Sequence, residues 1–261
     1  MRKLFAVFTQ RDPREQVALV LGALALVSLI PFPKIWFGSL IHLLGSLVFA
    51  LVVDFLLTGL RQKKWIFPRS ALVTGFLIGL ILDPSTPLWM TFLTAVFAIS
   101  SKRLIRLGQH HIFNPAAFGL VISSFLFQSS ISWWAVSATP VWSIAVLVIG
   151  MSVVLQRLRL LWMPVGFLGI YMAYLLLWSP SVLPIRLLDS SLFLFVFVML
   201  PEYRTSPVID HWRYSFGFFV GAIFMVLFQL FHLNSPDPLL VSLLLADLLS
   251  FLVIKSQKSS P

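Results

Sequence analysis

Ten apolar runs, separated by charged or Pro-rich breaks, leave this chain almost no polar surface to turn toward water. They fall at about 17–32, 38–60, 70–83, 87–101, 113–128, 141–156, 160–178, 187–200, 214–232 and 239–254. The 261 residues are 59% hydrophobic and 11% charged, whereas a soluble domain carries about a quarter charged residues. Runs of this length and apolarity match helices that cross a hydrocarbon layer. The expected fold is an all-α polytopic membrane protein of about ten transmembrane helices, with the lipid bilayer as its first partner.

The basic residues set the orientation. With a cytoplasmic N-terminus, 17 of the 19 Lys and Arg lie on the inner side. They precede the first run or sit at 61–69, 102–106, 157–159, 204–213 and 255–258, leaving Lys34 and Arg186 outside. Such a split is what membrane insertion selects. It predicts both termini in the cytoplasm of a bacterial or archaeal cell, with the chain in the cytoplasmic (inner) membrane. The formal net charge of +10 therefore reads as an orientation signal in short groups, not as a nucleic-acid face. Residues 1–16 are polar and basic, with no apolar core and cleavage site of a signal peptide. Without cysteine there is no disulfide, thiolate metal site or cysteine-held iron–sulfur cluster.

The third run is about 14 residues, roughly 21 Å as a helix and short of a 30 Å core. It ends in DPSTP, 83–87, and the eighth run, equally short, ends in PEYRTSP, 201–207. Short, Pro-interrupted spans at matching places in two halves point to repeats with a site at their interface. Five spans per half is odd, so the halves insert with opposite orientation. The expected organisation is a cytoplasmic segment 1–16, a first five-helix repeat 17–128, an outer loop 129–140, a second, inverted five-helix repeat 141–254 and a cytoplasmic tail 255–261.

Asp54 and Asp247 fall inside runs. A carboxylate at membrane depth costs about 2.5–3.5 kcal/mol on insertion scales and normally faces a cavity or partner, so both are candidates for an ion pathway. His42, Gln229 and His232 read as single helix-to-helix hydrogen bonds. In GQHHIFNPAAFGL, 108–120, the adjacent His110 and His111 would face different ways on a helix and make a poor chelating pair, so no metal site is expected. Asn114 before Pro115 is a helix start: Pro needs no N–H there and Asn caps it. A helix N-terminus of this kind favours anions. No phosphate loop, catalytic triad or paired-carboxylate pattern appears elsewhere.

SALVTGFLIGLILDPSTP (70–87), FAISSKRLIRLGQHHIFNPAAFGLV (97–121) and PEYRTSPVIDHWRYSFGFFVGAIF (201–224) together resemble the membrane subunit family shared by Nqr B and Rnf D. The resemblance covers about residues 10–254. It implies ten helices in two inverted five-helix repeats, flavin binding, and work beside other subunits in an Rnf/Nqr-type complex that couples electron transfer to Na⁺ or H⁺ translocation. It also implies a flavin-proximal set of Gln109, Phe113, Asn114 and Pro115, with Thr205 and Ser206 joining it from the RTSP element. Family members attach FMN through a phosphoester to the threonine of an Asp-x-x-Ser-Gly-Ala-Thr-like motif. Here WWAVSATPVW, 133–142, matches with Thr139 and Pro140, and Ser137 lies beside them. Ser137 and Ala138 leave no room for the glycine, and the upstream Asp is missing. Trp133, Trp134 and Trp142 would then furnish an aromatic slot for the ring.

Two readings follow. One is a flavin-carrying redox subunit. The other is a stand-alone transporter or channel for a small solute, in keeping with the altered attachment motif and the lack of a long N-terminal extension. The topology is common to both: single cysteines at Gln62 and Ser132 are expected to label with a membrane-impermeant maleimide from opposite sides. Labelling of both from one side would overturn the span count.

Overall fold

The computed structural model describes residues 11–30, 36–62, 68–107, 110–137, 139–202, 210–229, 231, 233 and 235–259. Each of the ten apolar runs is occupied by helix. The first five are α1 (Pro13–Leu29), α2 (Trp36–Gln62), α3 (Arg69–Ile81), α4 (Leu88–Leu104) and α5 (Pro115–Phe127). A four-residue turn of helix, α6 (Trp134–Ser137), lies in the loop expected between the halves. Then come α7 (Pro140–Leu158), α8 (Trp162–Trp178), a short α9 (Leu183–Leu187), α10 (Ser190–Leu194), α11 (Asp210–Gln229) and α12 (Pro238–Ser259). α2 and α7 are long and apolar enough to cross a membrane by length and composition. Between α4 and α5 the chain makes two two-residue strands, Arg106–Leu107 paired antiparallel with His110–His111, where the sequence suggested only a polar loop.

Helix starts follow local chemistry. Asp12 caps α1 by accepting from the Arg14 N–H at 2.8 Å, with Pro13 in the first turn. Asn114 does the same for α5, accepting from Ala117 N–H at 3.1 Å ahead of Pro115. Asp189 caps α10 through Ser191 N–H at 3.0 Å, which starts the eighth helical segment at Ser190 and not at 187. Asp237 caps α12 through Leu239 N–H at 2.9 Å ahead of Pro238. A cap of this sort satisfies an amide that has no partner within the helix.

Both short helices end irregularly. α3 stops at Ile81, after which Leu82 is extended and bridges Ile131. Asp83 N–H donates to Ser130 O and Ser132 N–H to Ile81 O, each at 3.0 Å. α10 passes into a π-helical turn, Phe195–Met199, closed by Leu200 N–H to Phe195 O at 2.9 Å. Every residue of that turn is buried, as is most of α3. Protein therefore covers the backbone where the helices break, as a low-dielectric surround requires.

In the first half α1 packs on α3, α2 on α3 and α4, and α4 on α5; in the second α7 packs on α10, α8 on α11, and α11 on α12. The halves meet where α1 packs on α7 and α5 on α12. Leu21, Leu24, Ile78, Leu80, Phe167, Phe195 and Phe216 are fully enclosed. Large apolar side chains also cover the outside: Leu26, Leu60, Phe125, Val141 and Leu177 are each at least 70% exposed, a surface suited to hydrocarbon and not to water.

Glycines let the helices approach closely, as in membrane bundles generally. A Cβ on Gly75 would lie 2.9 Å from the Leu47 Cα, and one on Gly119 2.6 Å from the Thr94 carbonyl. One on Gly217 would collide with the Met163 carbonyl, whereas Gly169 has open space around it. Overpacking of this kind costs about 1–3 kcal/mol. Gly217→Val and Gly119→Val are therefore expected to lower the detergent melting temperature clearly, and Gly169→Ala to leave it unchanged or raise it, as read by fluorescence-detected size exclusion after heating.

Candidate functional site

The two halves are joined at the start of α5. The Asn114 backbone N–H donates to Asp247 Oδ2 of α12 at 3.0 Å, and its side-chain Nδ2 donates to the Met199 carbonyl in the π turn at 3.0 Å. Its Oδ1 is meanwhile the cap of α5. One asparagine thus uses its amide N–H and both polar ends of its side chain on three elements. Asn114 is 1% exposed and Asp247 2%. Asp247 Oδ1 has no hydrogen-bond partner among the described residues, leaving a buried carboxylate half satisfied.

A cavity of about 70 Å³ opens beside Asn114, lined among others by Arg14, Thr74, His111, Pro115, Val198 and Glu202. It lies where the starts of α1, α3 and α5 meet the ends of α7 and of the π turn, so both short segments contribute to it. Liquid water takes about 30 Å³ per molecule, so the cavity suits a few waters or an ion and is far below the 300–1,000 Å³ of sites for flavin-sized ligands. Lys102 backs its wall: buried in the last turn of α4, it donates to Ser70 O at 3.2 Å and Thr74 Oγ1 at 2.8 Å. Asp54 is held differently. Arg103 forms an ion pair with its Oδ1 at 2.5 Å and also donates to Thr58, which engages Asp54 away from the cavity.

Thr139 and Ser137 lie at the opposite end, apart from Asn114. Thr139 precedes the first turn of α7 and shares a hydrogen bond with Ser143 Oγ at 3.0 Å. It sits on the rim of an apolar groove of about 800 Å³ between α1 and α7, with Ala23, Val27, Ile30, Trp142 and Ile149 among its walls. Ser137 donates to Trp133 O at 3.1 Å. The expected slot of three tryptophans is not assembled. Trp133 is buried and donates from Nε1 to Asp237 Oδ2 at 2.8 Å, and Trp134 donates to Gly79 O at 2.8 Å. Only Trp142 faces the groove, because an indole N–H buried among helices is held wherever it finds an acceptor. Phe113 stacks on Phe118, 5.5 Å between centroids. Gln109, Thr205, Ser206 and His232 lie outside the described residues.

Two of the single polar groups link helices as anticipated: His42 Nε2 of α2 approaches Thr86 O at 2.7 Å and Thr91 Oγ1 of α4 at 3.0 Å, and Tyr174 OH of α8 donates to Gln229 of α11 at 2.6 Å. Sequence reasoning passed over Lys102, Glu202 and Asp237. For Asp237 a signal existed, since Asp237-Pro238 repeats the Asn114-Pro115 pattern in the other half. Its carboxyl lies outside the spans and is held above the usual range by burial, partly opposed by the Trp133 and Leu239 N–H groups.

A helical, apolar protein whose polar site is built from helix breaks is the class these features define. The sequence matches the NQR2, RnfD, RnfE family over residues 6–141, more than half of the chain, and the chain belongs to that family. Among relatives, the D subunit of the ion-translocating oxidoreductase complex of Aeromonas hydrophila is 31% identical over 246 residues, covering 87% of this chain and 67% of the relative. The corresponding protein of Aeromonas salmonicida is 29% identical over 98% of this chain and 75% of its own length. That of Cronobacter sakazakii is 36% identical over 102 residues, 38% of this chain. Against the Cronobacter protein the matched stretch spans 29% of the relative's length.

The three bonds of Asn114 predict a graded response. Asn114→Ser keeps the cap and loses the Met199 bond, and Asn114→Ala loses both. Removing a cap costs about 0.5–2 kcal/mol, so the melting temperature is expected to fall in the order native, Ser, Ala.

Proposed function

We propose that this chain is the membrane-spanning, flavin-carrying subunit of a complex that couples electron transfer to cation translocation, with ten crossings in two inverted five-helix repeats. The names of its relatives support the activity. The recurrence of packing supports the repeat: α1 on α3, α2 on α4 and α4 on α5 in one half correspond to α7 on α10, α8 on α11 and α11 on α12 in the other. The pairs α1–α7 and α5–α12 then straddle the pseudo-two-fold axis.

The observation that carries the ion-handling part is Asp247, a buried carboxylate with one oxygen unpartnered among the described residues, whose partner Asn114 lines a small cavity where the halves meet. An ionisable group so placed is a functional site by default. Asp247 takes up and releases the ion, Asn114 fixes the other carboxylate oxygen, and Arg14, His111 and Glu202 set the charge at the inner mouth. Asp54, paired with Arg103, holds α2 against α4 at the cytoplasmic end and lies off this route.

For FMN, the Thr139 hydroxyl is half-buried at the start of a 19-residue helix, whose N-terminus favours a phosphate. The adjoining groove has the volume a flavin ring needs. The residues fit attachment at Thr139, and the flavin bound there would supply one- and two-electron transfer near the outer face. Apart from the Thr139 hydroxyl and the Trp142 indole N–H the groove's walls are apolar, and this scarcity of donors for the ring's polar edge is the observation favouring the alternative, a stand-alone transporter without redox chemistry.

Co-expression with a flavin transferase separates the two. A fluorescent band on a denaturing gel, abolished by Thr139→Val, is the expected result; no band and no acid-released flavin would favour the transporter. Asp247→Asn is expected to abolish electron-transfer-driven cation uptake by membrane vesicles carrying the assembled complex, and retention of uptake would overturn the role of Asp247.

A further inference from the structure

The bond from Asn114 N–H to Asp247 sets the register of α5 against the antiparallel α12. Asp247 lies nine residues after Pro238, and on α5 the residue nine after Pro115 is Ser124. The seam between the two helices therefore has one polar end at Asn114 and Asp247 and another at Ser124 and Asp237. The second end opens into a polar pocket of about 520 Å³ lined by Ser124, Gln128, Ser129, Ser235 and Asp237 among others. Ser129 is 5% exposed, and its Oγ has no partner among the described residues. Ser123 Oγ on α5 and Ser250 Oγ on α12 are likewise buried without partners among them.

Unpartnered buried polar atoms thus occur on both sides of one apolar stretch: Asp247 Oδ1 and Ser250 below it, Ser123 and Ser129 above. Between them lie Ala117, Leu120, Leu240 and Leu243, all 1% exposed or less. Nine residues of helix span about 13.5 Å, less than half of a 30 Å hydrocarbon core. We infer that the α5–α12 seam is a proton conduit, closed by this leucine plug between an outer serine- and aspartate-lined vestibule and Asp247.

The inference rests on the ion-translocating reading above and names its ion and its barrier. A dehydrated metal cation needs about six oxygen ligands. Near Asp247 the oxygens are weakened as cation ligands by the N–H groups they already accept: Oδ2 from Asn114 N–H, Asn114 Oδ1 from Ala117 N–H, and Met199 O from Asn114 Nδ2. One free carboxylate oxygen suffices for a proton: its O–H bond forms as the O–H of the neighbouring donor breaks, and it breaks again as the next acceptor takes the proton. Hydroxyls on either side relay protons because each both donates and accepts.

The test is passive flux. The purified full chain is reconstituted into vesicles of phosphatidylcholine and phosphatidylglycerol loaded with a pH-sensitive dye, and a potassium diffusion potential is imposed. The native chain is expected to pass few protons. Leu243→Ser and Leu120→Ser are each expected to raise the flux about tenfold, equivalent to a barrier about 1.4 kcal/mol lower. Adding Asp247→Asn should return it to the native level, and Leu249→Ser, on the lipid-facing side of α12 at 42% exposure, should change nothing. Should a serine variant not survive purification, Leu243→Thr fills more of the space, still supplies a hydroxyl that donates and accepts, and carries the same expectation. No rise in a folded plug variant, a rise that persists with Asp247→Asn, or sodium flux without proton flux would overturn the inference. If plug variants stay tight while Asp247→Asn abolishes driven uptake in the assembled complex, the translocation reading stands and the plug alone is lost.

Discussion

The hydrogen bond from the Asn114 amide to the Asp247 carboxylate is the contact on which the centre of this protein depends. It joins the last helix of each half, fixes how far α12 slides along α5, and leaves one carboxylate oxygen buried without a partner among the described residues. A lone carboxylate among helices would be strongly disfavoured. Here one oxygen is satisfied by an amide that no intrahelical carbonyl can reach, since it belongs to a helix start. The same residue caps α5 and holds the end of the π turn, so the cap, the break in the eighth segment and the buried acid are one structure.

Around that contact the energetics are those of close packing, not of burial from water. Lipid tails are as apolar as leucine, so what favours one helix arrangement over another is fit and hydrogen bonding between helices. Gly75 and Gly119 bring backbones against α2 and α4, and Gly217 brings α11 against α8. Ser46, His42 and Lys102 then bond across the resulting interfaces, Ser46 to the Gly75 carbonyl at 3.0 Å. Many polar side chains spaced along the apolar runs are thus glue between helices, and Asp247 differs as a carboxylate with one oxygen left unpartnered among the described residues.

Much of the fold was legible because hydropathy and capping are local. Apolar runs are long, the breaks between them carry Pro, Asp and Asn, and Asn114-Pro115 read as a helix start that the structure contains. The site was less legible. Asp54 and Asp247 looked alike as acids inside apolar runs, yet Arg103, 49 residues from Asp54 in sequence, pairs with the first and nothing similar meets the second among the described residues. Trp133, Trp134 and Trp142 looked like one aromatic wall within ten residues, but a positive φ at Trp133 and separate acceptors at Asp237 and Gly79 send them three ways.

The amino-acid sequence by itself determined the helical class, the ten apolar runs, the basic side of the molecule and the helix starts. Each depends on composition within a window of a few turns, or on a residue and its neighbours two or three positions on. Only the tertiary structure decided which acid is neutralised by a partner, that the π turn supplies a carbonyl to Asn114, and that Thr139 borders an apolar groove remote from Asn114. Those outcomes depend on registers between helices far apart in sequence, and a helix's own pattern of apolar residues leaves its sliding and rotation against a neighbour open until small residues and buried hydrogen bonds select one arrangement.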